Sequence, residues 1–121
     1  MAHTKEEQVV AVFRRTSGAV TRGLLTGVEF INRVIDEFAS IDRVYPEIIP
    51  ALWALIPNFI REEFVATIRR AAAPEFRYRA FHFGGSLRMT DEEIQKDADL
   101  RTERVQAWAV AFVRYFTEMK V

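Results

Sequence analysis

The sequence predicts an all-α fold: a compact, irregular bundle of four to five helices. It ends in a long C-terminal helix preceded by an irregular aromatic and arginine-rich connector. Three observations carry this. Thr4-Lys-Glu-Glu7, Thr26-Gly-Val-Glu29 and Thr90-Asp-Glu-Glu93 each match the capping box, in which threonine and glutamate satisfy each other's orphan backbone N–H groups at a helix start. Each box precedes an apolar run with helical period. Half of the 121 residues are hydrophobic and ten are Phe, enough to build the core of one domain and too apolar for global disorder.

The first helix follows Thr4 with Val9, Val12, Phe13 and Thr16 on one face; Ser17-Gly18 is expected to end it, and Gly23 to make the turn before Thr26. The second carries Phe30, Ile31, Val34, Ile35 and Phe38. The middle is punctuated by Pro46, Pro50, Pro57 and Pro74, and proline is welcome only in a helix's first turn. That spacing predicts a short helix from Pro46 or Pro50 to Ile56, with Trp53 in the core. A kink at Pro57-Asn58 follows, and then a helix from Phe59 to Ala72. Its expected inward face is Phe59, Phe64, Val65, Ile68 and Ala72, with Arg61, Glu62, Arg69 and Arg70 outward.

Helical period stops between Pro74 and Met89. Phe76-Arg-Tyr-Arg alternates aromatic with basic residues and Gly84-Gly85 breaks the run, which reads as an ordered connector in preference to a strand without a partner. After Thr90 the apolar stripe is Ile94, Ala98, Val105, Trp108, Ala109, Phe112, Phe116 and Met119. An unbroken helix from Asp91 to Met119 runs about 43 Å, so it either bends near Asp97–Leu100 or projects at one end. Val110, Val113 and Tyr115 flank the main stripe and suit burial on a second side, as in a homodimer.

Composition narrows the function. Seventeen basic residues balance seventeen acidic ones, unlike a protein dedicated to coating nucleic acid or an anionic membrane. The N-terminus is too polar for a signal peptide. The charge-free stretch Ile48–Ile60 is too short and proline-broken to span a bilayer, so no membrane association and a cytoplasmic location are expected. Without cysteine there are no disulfides, thiolate metal sites or Cys nucleophiles.

His82 is the one histidine within the predicted fold. Ser86, Asp91 and Glu92 lie near it in sequence, but no nucleophile elbow accompanies them. Glu92, Glu93, Asp97 and Asp99 offer oxygen ligands without the spacing of a calcium loop. A non-enzyme with no cofactor and no metal is the expectation.

The notable feature is charge placement. Arg69, Arg70, Arg77, Arg79 and Arg88 face a single acid, Glu75, over residues 69–88. Six acids stand against three bases from Asp91 to Arg104. Either the basic connector folds onto the acidic start of the last helix, or its arginines and interleaved aromatics form a recognition surface. The candidate partner- or anion-binding residues are therefore Arg69, Arg70, Arg77, Tyr78, Arg79, His82 and Arg88. The expected function is a small helical protein-interaction module, an adaptor, inhibitor or regulatory subunit, with a protein partner or a second copy. The alternative is a nucleic-acid or anion-binding protein acting through residues 69–88. A small-molecule pocket lined by Trp53 and Trp108 is a third class, and aromatics at helical spacing favour plain core over it.

Overall fold

The computed structural model describes residues 4–79 and 90–121. Five α-helices are formed among them: α1 (Lys5–Thr21), α2 (Gly27–Ala39), α3 (Ile49–Leu55), α4 (Arg61–Ala71) and α5 (Asp91–Glu118). Short 3₁₀ turns, Pro46–Ile48 and Asn58–Ile60, lead into α3 and α4. Each of the three threonines caps a helix. Thr4, Thr26 and Thr90 accept from the backbone N–H of Glu7, Glu29 and Glu93, and for α2 and α5 the glutamate closes the box by accepting in return.

The first helix runs past Ser17-Gly18 and stops at Thr21. A glycine inside a helix costs about 1 kcal/mol and is tolerated; what ends the helix is the residue able to turn left-handed. Gly23 takes a φ of +76°. Its N–H donates to the Val20 carbonyl while the Leu24 N–H reaches back to Ala19, a Schellman closure. Gly27 serves a different need. A Cβ there would lie 2.7 Å from Ile60 Cγ2, so its bareness lets the start of α2 approach the α3–α4 connector.

α5 is the centre of the molecule, packed against α2 and α4, while α1 lies over α2 and α3. Its inner face is Thr102, Val105, Trp108, Ala109, Phe112 and Phe116, all buried. Trp108 stacks on Phe38 with ring centroids 4.8 Å apart. Phe112 meets Phe64 edge-on at 5.5 Å, and Phe116 meets Trp53 at 5.2 Å. Trp53 is half-buried at the margin of this cluster instead of inside it.

Four assignments need correction. The 3₁₀ turn before α4 shifts the register so that Ile60 faces inward and Phe59 is 70 % exposed. Toward the end of α4, Ala71 is buried and Ala72 only partly so. Arg61 is not a free outward charge: it donates to the carbonyls of Ile56 and Trp53, both at 3.0 Å, and lies 4.4 Å from the Trp53 ring. Those carbonyls lie at the C-terminal end of α3, where helix geometry leaves acceptors in surplus; that of Trp53 also accepts from the Ile56 N–H, and Arg61 ties α4 to α3 there. Met119 is exposed, because it falls beyond the last turn held against the core.

The last helix is continuous over 28 residues, about 42 Å. No residue from Asp91 to Arg101 is buried, so the N-terminal end is the one that stands out from the bundle.

Candidate functional site

The connector after α4 is held by its aromatic residues. Phe76 is half-buried against the core and Tyr78 is buried, while Arg77 and Arg79 are exposed, as alternation requires. The Tyr78 backbone N–H donates to Thr102 Oγ1 at 3.0 Å, and its hydroxyl donates to Asp36 Oδ1 at 2.6 Å. Gln106 Nε2 donates to the Ala73 carbonyl at 2.7 Å. Burial, followed by the hydrogen bond to Asp36, holds the Tyr78 phenol well above its ordinary pKa. Tyr78 is thus the anchor of the segment and lies inside, not on the surface beside the arginines.

Arg77 donates to the nearby carbonyls of Pro74 and Phe76. Neither Arg77 nor Arg79 forms an ion pair with an acid of α5; among the described residues the ion pairs are Lys5–Asp42 and Arg101–Asp97. Residues 74–79, the described part of the connector, are therefore held on α5 through the Tyr78 backbone, with Gln106 fixing Ala73 just before them, and not through an ion pair of Arg77 or Arg79. Arg69 lies elsewhere, donating to the Val121 carbonyl with its guanidinium 5.9 Å from the Phe116 ring, while Arg70 donates to Thr67 on its own helix. From Thr102 to Phe116 is about 21 Å along α5, so among the described residues Arg69 lies well apart from Arg77 and Arg79. His82 and Arg88 lie outside the described residues, as does Ser86.

Two clefts involve other residues. One, about 580 Å³, runs between α1 and α2, where Arg15 and Arg33 face Asp36 and Glu37. Burial raises the Glu37 carboxyl above its ordinary pKa, partly offset by Arg15. The other, about 860 Å³, lies along α5, where Val44, Pro46 and Ile49 stand beside Ala107, Val110 and Ala111. Glu103 and Arg114 also line it. Neither tryptophan lines either cleft.

The second cleft opens onto the outer face of α5. Leu100, Glu103, Ala107, Val110, Arg114 and Thr117 are all exposed and alternate in steps of three and four, so they form one stripe opposite the aromatic one. Leu100 is 45 % and Val110 41 % exposed. Val113 and Tyr115, grouped with Val110 on sequence grounds, are instead half-buried against the core. This spacing was present in the sequence, hidden behind the far stronger aromatic stripe. A separate apolar spot, Leu24, Val28 and Phe59, flanks the contact between Gly27 and Ile60.

Among the described residues no cluster of three or more His, Asp or Glu is placed to hold a metal ion. No described helix is long and apolar enough to cross a membrane. No protein-family model, curated protein or solved structure matches this chain.

Proposed function

We propose that the chain is a small non-enzymatic interaction module whose binding surface is the outer face of α5 with the adjoining cleft. The observation that carries the reading is the exposure of Leu100 and Val110 on a helix whose opposite face is already committed to the core. Beside Val110 the cleft is lined by the apolar Val44, Pro46, Ile49 and Ala111, and by the charged Glu103, Arg114 and Glu118. An apolar centre with a charged rim is the composition of a protein-binding patch. A photo-activated cross-linking residue placed at Val110 tests this in the native host. Adducts should form from position 110 and not from exposed Arg14 or Glu62; equal labelling at all three positions would remove α5 as the binding surface.

A second reading is supported by one observation: Arg77 and Arg79 are exposed, unpaired with acids, and carried on a firmly anchored segment. That presentation suits an anionic partner such as single-stranded nucleic acid. Titration against single-stranded DNA and RNA at two salt concentrations decides it, because phosphate contacts give steep salt dependence. The double change Arg77→Ala, Arg79→Ala should then abolish binding and alter stability by less than about 1 kcal/mol. Absence of binding at low salt excludes this reading.

A further inference from the structure

We propose that the outer face of α5 is covered by a second copy of this chain, the two helices crossing antiparallel with a two-fold axis between Ala107 and Val110. The proposal rests on the reading of α5 as the binding surface and names its occupant.

The argument is one of charge and spacing. Along the stripe from Leu100 to Thr117 the only charged residues are Glu103 and Arg114. Glu103 lies four residues before Ala107, and Arg114 lies four residues after Val110. An antiparallel two-fold partner therefore sets Glu103 of each copy against Arg114 of the other, Ala107 against Val110, and Leu100 against Thr117. Small meets large at the centre, as interdigitating helices require, and two opposite-charge pairs flank it. A parallel pairing instead puts Glu103 beside Glu103 and Arg114 beside Arg114, which is repulsive.

Neither charge is occupied at home: no ion pair within the described residues involves Glu103 or Arg114. A closed two-fold contact requires self-complementarity, and Glu103 with Arg114 supplies it in this register, while Glu118, which also lines the cleft, lies beyond the paired stripe. The stripe spans about 26 Å of helix, enough for six layers of facing side chains. Pro46 and Val44 border the same cleft and lie where the crossing helix would seat.

Sedimentation equilibrium of the full chain over a wide concentration range tests the proposal with Glu103→Arg, Arg114→Glu and the double exchange. All these positions are exposed, and circular dichroism verifies that each variant is folded. The expected result is a reversible dimer of the original chain. Each single change should weaken it about tenfold or more, since it turns two attractive pairs into repulsive ones, and the double exchange should restore it.

A dimer unaffected by either single change, or not recovered by the double exchange, overturns the antiparallel register. A chain that stays monomeric throughout, while position 110 cross-links to a protein of another mass, overturns the second copy but leaves α5 as the binding surface. Monomer together with no cross-link at position 110 overturns both.

Discussion

The two faces of α5 are built from different materials. The inner face places Trp108, Phe112 and Phe116 among Phe38, Phe64 and Trp53, with aromatic centroids 4.8–5.9 Å apart. The outer face, over the same turns, carries Glu103, Ala107, Val110 and Arg114. Large rings buried in mutual contact hold a fold together; small and charged residues on a straight exposed stripe contribute little to stability and leave a surface free to be recognised. One helix can carry a stripe that holds the core and, as proposed, a second that is recognised when the two are kept separate in phase.

The largest expected effect tests the inner face. Phe112 is fully buried against Phe38, Phe64 and Phe116. Phe112→Ala should cost roughly 3–5 kcal/mol, read from urea or thermal unfolding. A cost under about 1 kcal/mol would mean that the ring cluster is not what holds α5 in place. Next comes the connector, which docks on the helix at Thr102. Tyr78→Phe removes only the hydroxyl given to Asp36 and should cost about 1–2 kcal/mol by the same measurement. An unchanged midpoint would show that the backbone bond to Thr102 suffices as the anchor.

The smallest effect lies in the α1–α2 cleft, away from both faces. Because burial raises the Glu37 pKa, the folded chain holds this proton more tightly than the unfolded chain does. Ionising it therefore costs stability as pH rises through the carboxylate range. Glu37→Gln should raise the unfolding midpoint slightly at neutral pH, the effect kept small because solvent screens the half-exposed carboxylate, with the gain fading in acid below pH about 4. A gain that persists in acid would place its origin outside this ionisation.

Much of the fold is readable because helix starts are local chemistry. Thr26 with Glu29, and Thr90 with Glu93, need only their own four residues to form a cap. The places that were not legible depend on what arrives from elsewhere in the chain. Ser17-Gly18 looks like a stop, but the helix continues because Val20 beyond it is buried and Gly23 supplies the left-handed turn. Phe59 and Ile60 are equivalent by composition; only the 3₁₀ turn after Pro57 decides which faces inward. Arg61 reads as a surface charge until the carbonyls of Trp53 and Ile56 come within reach.

The candidate site was less legible for a related reason. The 69–88 segment stands out through local charge; over residues 76–79 the aromatic side chains turn inward and the arginines outward, which takes Tyr78 away from the expected binding residues. The outer stripe of α5 has only two large apolar residues, Leu100 and Val110, and becomes a surface only when Val44, Pro46 and Ile49 are folded beside it.

The division of labour on α5 is tested most directly by Val110→Asp, with self-association and unfolding measured on the same variant. Unfolding is followed at a concentration where the original chain is monomeric, so that loss of association cannot appear as loss of stability. The account predicts abolished dimer formation with an unfolding free energy within about 0.5 kcal/mol of the original chain, as for a surface change away from the core. A stability loss above about 2 kcal/mol with association intact would contradict it, and would return Val110 to the core.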